Sequence, residues 1–459
     1  MSAARPHPEI RLSQLERCFE GGIPAVVATA SADGTPNITY LSRVQSVDDE
    51  RVALSNQFFS KTVQNLAENP RASVLLIDPT AFDQYRLTIA YERTERRGPV
   101  FERLRSEVDA LAALGGMMEV FKLRAADIYR VLDIEVVPSA TRRPEDYAAP
   151  ADTKALDPAV LAELAGRLAR ASDLDTLVST TVRALADLFG YEHSALLLLD
   201  EDGSRLFTIA SHGYEVEAVG SEVVVGEGLV GMAAARGAPL RIGNLLQMNR
   251  YSSSIRRSFE SAGELAPGYE IPVPDLPGVQ SRLAVPALSL GQLVGVVVVE
   301  STEPVAFTAA DEAALTVVAS LVASAIDADR GRDHGEEDRA PATQVDGPSE
   351  PSGPATRVRF FEVDGSTFLD GDYLIKGVAG RILWALLGHH AREGRVEFSN
   401  REMRLDPSLD LPPFRDNFES RLILLKRRLD ERGAPVRIEK TSRGCFRLLV
   451  AGPVALEPG

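Results

Sequence analysis

A stretch near the carboxyl end of this chain cannot build a packed core, and it divides the sequence. Asp329 to Thr356 is first charged and then rich in proline, glycine and serine, with almost no large apolar residue. Such a segment buries too little apolar surface to offset the conformational entropy lost on ordering. We therefore expect a flexible linker over 329–356. A shorter break, Pro138 to Asp157, is rich in proline, alanine and charge.

These two breaks separate three folded parts. The chain has 459 residues, enough for about three domains at roughly 150 residues each. We expect domains over 1–140, 155–328 and 357–452. No internal repeat of fixed period is visible, so a solenoid or propeller is not expected.

The net charge of −16 is spread unevenly along the chain. Residues 1–150 carry 18 Lys+Arg against 21 Asp+Glu, residues 151–355 carry 14 against 30, and residues 356–459 carry 18 against 15. The middle part is therefore strongly acidic, and only the last part has surplus positive charge for a phosphate backbone.

Targeting and redox signals are few. Met1 to Glu20 is polar and no run of about 18 apolar residues occurs, so we expect neither a leader nor a membrane span. Cys18 and Cys445 lie far apart and indicate no disulfide framework, which favours a reducing cytoplasm. The sequence offers no Ser-His-Asp set, no paired catalytic acids and no metal-ligand cluster, so we assign no catalytic residue and no metal.

The first part alternates strand-like segments with turns. Ile23–Ala30 and Ala72–Ile77 are apolar strands, whereas Lys61–Asn69 and Pro99–Leu114 have helical spacing. This pattern predicts a small β-barrel. The segment VALSNQFFSKTVQNLAENPRASV, Val52 to Val74, resembles the pyridoxamine-phosphate-oxidase-like family of flavin-binding split barrels, over roughly residues 10–137.

The start of the helix within that segment is a candidate phosphate site. Free amides and the helix dipole attract anions there, and a lysine adds a full positive charge. The resemblance implies that this corner binds the phosphate of FMN. The candidate cofactor-binding residues are Asn56, Ser60, Lys61, Thr62 and Arg43.

This corner is also compatible with two different ligands and with a purely structural role. Haem or a deazaflavin is an alternative ligand, and an N-cap serine followed by a solvated lysine is the structural alternative. The oxidase's C-terminal Trp-Arg-Leu-x-Pro segment is absent, which argues against oxidation of pyridoxamine phosphate.

The middle part has long helical segments, Leu161–Leu188 and Ala309–Ala328, around strand-like pairs. This order predicts an α+β domain. Four stretches carry a family resemblance: the opening helix with TTVRALADLFGYEHSALLLLDEDG, then GEGLVGMAAARGAPLRIGNL, SRLAVPALSLGQLVGVVVVES and FTAADEAALTVVASLVASAI. In this order they resemble a GAF domain. The resemblance implies a pocket for an unidentified small molecule, and helices that pack in a homodimer.

Two features of this part qualify the resemblance. Glu300-Ser301 stands where cyclic-nucleotide-binding members carry Asn-Lys, which argues against a cyclic nucleotide as the ligand. The insert Asn249–Gln280 either covers a pocket or is a surface loop.

The last part combines an apolar helix, Gly380–His389, with a leucine- and arginine-rich segment, FRDNFESRLILLKRRLDERG, and a basic hairpin around Lys440–Gly444. Over residues 357–450 it resembles the winged-helix output domain of response-regulator-type transcription factors. The leucine-rich helix would bury one side and turn the other to the major groove of double-stranded DNA. The candidate DNA-binding residues are Arg415, Asn417, Arg421, Lys426, Arg428, Lys440 and Arg443.

Together these signals predict a multidomain α+β chain: a split β-barrel, a GAF α/β sandwich and a winged helix-turn-helix domain. The function we expect is a cytoplasmic, homodimeric regulator that binds DNA in response to a ligand or redox change. An FMN-dependent oxidoreductase with regulatory domains is the alternative, and a protein-docking scaffold is a third. A solvated C-terminal helix, balanced by its own acids, is the structural alternative to DNA contact.

Overall fold

The computed structural model describes residues 10–20, 23–57, 60–114, 122–138, 157–214, 219–248, 276–333, 355–409, 411, 418–442 and 444–459. Most of both expected linkers and of the Asn249–Gln280 insert lie outside these residues. The chain is a multidomain α+β protein. It divides into one unit of Met1–Pro158, Val225–Pro286 and Val298–Val317, and another of Ala159–Val224, Ala287–Val297 and Val318–Gly459.

The first unit contains a seven-stranded antiparallel sheet in the order β2-β1-β5-β6-β7-β4-β3. Its strands are β1 (Ala25–Ala30), β2 (Pro36–Leu41), β3 (Val44–Ser46), β4 (Arg51–Asn56), β5 (Arg71–Ile77), β6 (Gln84–Glu95) and β7 (Ala125–Val137). A 3-10 helix (Leu12–Phe19) and helices α1 (Ser60–Glu68) and α2 (Pro99–Leu114) accompany them.

The connection between β2 and β3 forces this sheet to curl. Only Ser42 and Arg43 join these strands, yet the strands occupy the two opposite edges of the sheet. Two residues span less than about 10 Å, so the two edges must approach each other. The curled sheet encloses a core that includes Val27, Leu54 and Leu87, which are nearly inaccessible to solvent.

The middle of the chain forms a six-stranded sheet in the order β10-β9-β8-β13-β12-β11, whose strands β12 and β13 run through both units. Its elements are α3 (Pro158–Ala169), α4 (Leu174–Phe189), β8 (His193–Leu199), β9 (Arg205–His212), β10 (Glu222–Val224), α5 (Gly228–Arg236), β11 (Leu240–Ile242), β12 (Ser281–Ser289), β13 (Gln292–Ser301) and α6 (Ala309–Asp333).

The single helix expected over Leu161–Leu188 is two helices. Asp173 adopts an extended backbone (φ −161°, ψ 173°), and its side chain accepts a hydrogen bond from the amide of Thr176. This N-cap starts α4 afresh, because an aspartate satisfies the free amides of a new first turn. Gly190 then ends α4 in the left-handed region (φ 76°).

Helix α6 is long and apolar. Within the described residues, Ala309–Asp329 is one segment whose length and composition would allow it to cross a membrane, although only 39% of its most apolar 18 residues are buried. Its residues Leu315, Val318 and Val322 are fully buried, whereas Val317 and Leu321 are exposed. One buried stripe with an exposed opposite side is the pattern of an amphipathic helix in a globular fold.

Among its described residues, the C-terminal region contains two small sheets, three α-helices and a short 3-10 helix (Pro407–Leu409). Its elements are β14 (Thr356–Phe361), β15 (Ser366–Leu369), β16 (Asp372–Ile375), α7 (Gly377–Glu393), β17 (Glu397–Ser399), α8 (Asn400–Arg404), α9 (Phe418–Glu431), β18 (Val436–Ser442), β19 (Cys445–Val450) and β20 (Val454–Pro458). The sheet orders are β16-β15-β14-β20 and β17-β19-β18. Strand β20 pairs in parallel with β14 and was missed in the sequence, because its partner lies almost the whole domain away.

Helices α7 and α9 pack against each other and form the core of this region. Ile382, Leu383 and Leu386 of α7 are buried, as are Phe418 and Leu425 of α9. The apolar face predicted for each helix is thus the buried one. Trp384 is only half-buried and stacks on Phe360 of β14, with ring centroids 5.1 Å apart.

Gly380 allows α7 to approach β15 closely. A Cβ there would overlap the carbonyl oxygen of Gly365 and lie 2.8 Å from Oγ1 of Thr367. We expect Gly380→Ala to lower the free energy of unfolding by about 1–3 kcal/mol, because the backbone must shift to admit the methyl group. Thermal unfolding followed through the fluorescence of Trp384, the single tryptophan of the chain, measures this.

Gly388 of the same helix is the matched control. A Cβ there would meet only the guanidinium end of Arg392, at 3.3 Å, and that end can move. Gly388→Ala should leave the midpoint temperature of thermal unfolding unchanged or raise it, since alanine favours a helix by up to about 1 kcal/mol over glycine. Equal effects of the two substitutions would contradict the close approach of α7 as the reason for Gly380.

Candidate functional site

The predicted phosphate corner lies at the start of α1. Lys61 is exposed in the first turn, and no salt bridge of Lys61 is found within the described residues. Thr62 is buried, and its Oγ1 accepts a hydrogen bond of 3.1 Å from Nδ2 of Asn37. Asn65 Nδ2 donates to Oγ1 of Thr29 at 3.1 Å. These bonds fix α1 to β1 and β2 and leave the lysine free to meet an anion. The side chain of Ser60 lies outside the described residues.

The end of β4, shortly before this corner in the sequence, carries two polar side chains. Asn56 Nδ2 donates to Oδ2 of Asp127 at 2.9 Å, so the Asn56 amide already has one partner. Gln57 is buried; its Oε1 accepts from Oγ of Ser42 at 2.8 Å, but its Nε2 has no partner among the described residues. A buried unpaired N–H is costly unless a further acceptor is present. The donor of Gln57 is thus left for a further acceptor, and the exposed charge of Lys61 suits an anion.

Arg43, the remaining cofactor candidate, lies in a different environment. It is 4% exposed, its Nε donates to Oε2 of Glu107 at 2.7 Å, and its Nη1 donates to the carbonyl oxygen of Glu20 at 2.8 Å. The sequence did not indicate this pairing, because Glu107 is distant along the chain. Its charge is thus compensated within the protein, and its assignment to a phosphate stays a prediction.

A cavity of about 290 Å³ adjoins this arginine. Its lining includes Glu20, Arg43, Glu107 and Arg241. Arg241 pairs with Glu20 and donates from Nε to Oε2 of Glu312 at 3.0 Å. Burial raises the pKa of Glu20 to about 7, although the guanidinium groups of Arg241 and Arg43 lower it. The cavity wall is a network of charges that largely satisfy one another.

The second candidate site is the polar side of α9. Arg421 forms a two-pronged contact with Glu201, from Nε to Oε1 at 2.9 Å and from Nη2 to Oε2 at 2.7 Å. The two side chains are only 11% and 10% exposed. The guanidinium carbon of Arg421 also lies 3.8 Å from the ring centre of Phe207. Burial raises the pKa of Glu201, but the hydrogen bonds and charge of Arg421 outweigh this and hold that pKa below its usual value.

The neighbouring cations of α9 are also engaged. Arg427 Nη2 donates to Oδ1 of Asp175 at 2.6 Å and to Oγ of Ser179 at 2.7 Å. Lys426 Nζ lies 3.7 Å from Oδ2 of Asp175. Arg428 Nη1 contacts Oε2 of Glu431 at 2.7 Å.

The hairpin β18–β19 adds a further contact of this kind. Lys440 Nζ donates to Oδ2 of Asp173 at 2.9 Å. Burial raises the pKa of Asp173, but the hydrogen bonds from Thr176 and Lys440 dominate and lower it to about 2. Asp173 is therefore ionised at neutral pH, and this ion pair would be lost only as the pH falls toward 2.

The sequence predicted that this side of α9 is open to a ligand, and the structure corrects that expectation. Acidic side chains of residues 173–201 pair with Arg421, Arg427 and Lys440, and Arg421 is nearly buried by its pair. Arg415, Asn417 and Arg443 lie outside the described residues. The missed acids had a compositional signal, the strong negative charge of residues 151–355, but nothing in the sequence gave their partners.

Comparison with protein families now identifies two parts of the chain. The family model described as Pyridoxamine 5'-phosphate oxidase matches residues 13–132, and the one described as GAF domain matches residues 173–326. The chain carries a pyridoxamine 5'-phosphate oxidase-like domain and a GAF domain. Both matches end before residue 355, so they leave the C-terminal region unassigned.

Individual relatives are distant. An uncharacterized protein of Methanocaldococcus jannaschii is 36% identical over 50 residues, which are 10% of this chain and 34% of that protein, so this chain spans about a third of its relative. The GAF domain of an Acinetobacter phosphoenolpyruvate-protein phosphotransferase is 24% identical with a TM-score of 0.31, over 39% of this chain and 96% of that one. An FMN-binding protein from Syntrophomonas wolfei subsp. wolfei is 17% identical with a TM-score of 0.24, over 28% and 87%.

Glu20 makes the stability of the first unit depend on pH. Its pKa is raised from 4.5 to about 7 on folding, so between these pH values the folded protein binds more protons than the unfolded one. Stability should therefore fall by up to about 3 kcal/mol as the pH rises through this window. Scanning calorimetry from pH 5 to pH 8 should show that decline in the wild type.

The substitution Glu20→Gln removes the titrating group and keeps most of the packing. It should abolish the decline, whereas Glu50→Gln, at an exposed turn of the same domain, should retain it. If stability still declines from pH 5 to pH 8 in Glu20→Gln, another titrating group causes the decline.

Proposed function

We propose that this protein is a ligand-responsive regulator that binds double-stranded DNA through its C-terminal region. The observation that carries the proposal is the set of basic side chains on α9, Arg421, Lys426 and Arg427, which pair with acids of the GAF domain in this structure. The GAF domain and the oxidase-like domain precede this region and are the parts suited to small ligands. A cytoplasmic location follows from this proposal.

The order of elements supports a winged-helix interpretation of residues 355–459. Helix α7 packs against α9, the short α8 lies between them in sequence, and the hairpin β18–β19 follows. In a winged helix the last helix enters the major groove and the hairpin contacts the neighbouring backbone. Lys440 lies on the hairpin and Arg421 on the helix, so both contacts would be basic.

DNA binding of this kind should depend strongly on salt. Each arginine that pairs with a phosphate contributes about one unit to the slope of log Kd against log salt. We expect Arg415→Ala combined with Arg443→Ala to lower the slope by about two units and to weaken binding about 10-fold or more. The measurement is fluorescence anisotropy of the full-length protein with duplexes selected from a random pool at low ionic strength.

The matched control removes the same charge elsewhere. Arg86→Ala combined with Arg93→Ala affects exposed arginines of the first domain, 54% and 49% exposed. This variant should bind DNA like the wild type. The DNA-binding proposal is wrong if no duplex is selected, or if both double variants weaken binding equally.

We infer that the corner at α1 binds the phosphate of a flavin-type cofactor, with FMN as the first candidate and a deazaflavin or haem as alternatives. The family match over residues 13–132 supports this, as does the exposed Lys61 at the start of α1. Lys61 would supply the charge, and Thr62 would hold the start of α1 in place. The oxidoreductase alternative would use the same cofactor and stays a prediction.

Removal of the lysine charge should weaken this cofactor. A charge-assisted hydrogen bond contributes about 1.5–3 kcal/mol, so Lys61→Ala should raise the Kd for FMN about 10- to 100-fold. Quenching of FMN fluorescence on titration with the protein measures the Kd. Arg71→Ala, another exposed cation of this domain, is the control and should leave the Kd unchanged. Equal affinity of the wild type and Lys61→Ala would exclude this corner as the phosphate site.

A homodimer is part of the same proposal. Val317 and Leu321 are apolar residues exposed on α6, 42% and 36% accessible. A second copy of the chain would remove them from water, which favours association. Two winged helices in one dimer would read two half-sites on DNA.

A further inference from the structure

The acidic surface that covers α9 has the chemistry of a nucleic-acid backbone. Asp173, Asp175 and Glu201 of the GAF domain each accept a charge-assisted hydrogen bond from the C-terminal region, at 2.9, 2.6 and 2.7 Å. Carboxylate and phosphate oxygens accept the same bonds from arginine and lysine. We call these three carboxylates the acidic face.

One contact of the acidic face, the pair of Arg421 and Glu201, is nearly closed to solvent. Arg421 and Glu201 are nearly buried, and the guanidinium group of Arg421 lies over Phe207. Both donors of that group that face Glu201 are used. A second anion cannot reach the same edge of the guanidinium group while this pair is intact.

We propose that the acidic face of the GAF domain competes with DNA for the basic side of α9 and keeps the protein closed. The proposal rests on the DNA-binding function proposed above. Since both anions use the same guanidinium and ammonium groups, the closed form and the DNA complex exclude each other. The apparent affinity for DNA then falls with the fraction of molecules that are open.

Several of these contacts involve the start of α4, so one movement of that helix can break them together. Asp173 is the N-cap of α4 and Asp175 lies in its first turn. Arg427 also donates to the carbonyl oxygen of Ile209 in β9, at 2.8 Å. Helix α4 packs against β9, so a small shift of α4 along that strand breaks several of these bonds together. A GAF ligand that favours the shifted position would thereby favour DNA binding.

The test neutralises the acidic face without touching any candidate DNA-binding residue. Full-length Asp175→Asn combined with Glu201→Gln is compared with the wild type for DNA affinity and for hydrogen exchange of α9. The variant should bind the selected duplex about 10-fold more tightly or better, because the open fraction rises. The amides of α9 should exchange faster.

The control variant loses two negative charges on the same domain, as the acidic-face variant does. Glu163→Gln combined with Asp187→Asn changes carboxylates that are 50% and 62% exposed and pair with Arg167 instead of α9. General electrostatic attraction to DNA would tighten both variants alike, whereas competition tightens only the acidic-face variant.

The outcomes separate this inference from the function on which it rests. If the wild type and both variants bind DNA equally, the competition is wrong and DNA binding stands. If α9 exchanges faster in the acidic-face variant yet neither it nor the wild type selects any duplex, the DNA-binding function is wrong and the competition falls with it.

A milder substitution covers the case in which the double variant does not fold. Asp173→Asn keeps a good N-cap for α4, since asparagine caps a helix about as well as aspartate. It removes the charge that faces Lys440 and nothing else of the acidic face. It should tighten DNA binding about 3-fold, and an unchanged or weaker affinity would overturn the competition.

Discussion

The buried pair of Arg421 and Glu201 is the interaction on which the C-terminal half of this protein depends. Each charge loses its water on burial, and that loss costs several kcal/mol. The two-pronged geometry and the ring of Phe207 under the guanidinium group offset this cost. Loss of either partner leaves the other charge buried and unpaired. This pair therefore favours a single arrangement of α9 over the many that its exposed charges would otherwise allow.

Charge has two different uses in the oxidase-like part of the chain. Arg43 and Arg241 are buried, and acids of the same unit compensate them, so they stabilise structure. Lys61 stays exposed at a helix start. Buried cations with partners hold a fold together, whereas an exposed cation at a helix N-terminus is suited to an anionic ligand.

The strongly negative middle of the chain gains a physical role from these contacts. Composition alone suggests that such a segment repels nucleic acid, since like charges repel. In the structure, part of this charge lies at the start of α4 and at Glu201, where it meets the basic C-terminal region. An acidic GAF domain and a basic C-terminal region in one chain are then complementary surfaces, and under the proposed competition a ligand would act on the balance between them.

The sequence by itself determined the local elements. Period-two strands, leucine spacing on α9 and the turn residues depend on neighbours along the chain, and those elements are present in the structure. Only the tertiary structure decided three other features. These are the break at Asp173, the parallel pairing of β20 with β14, and the partners of Arg43 and Arg421. The reason is that a side chain's charge is written in the sequence, whereas the charge that compensates it lies far along the chain. Only the folded protein brings the two together.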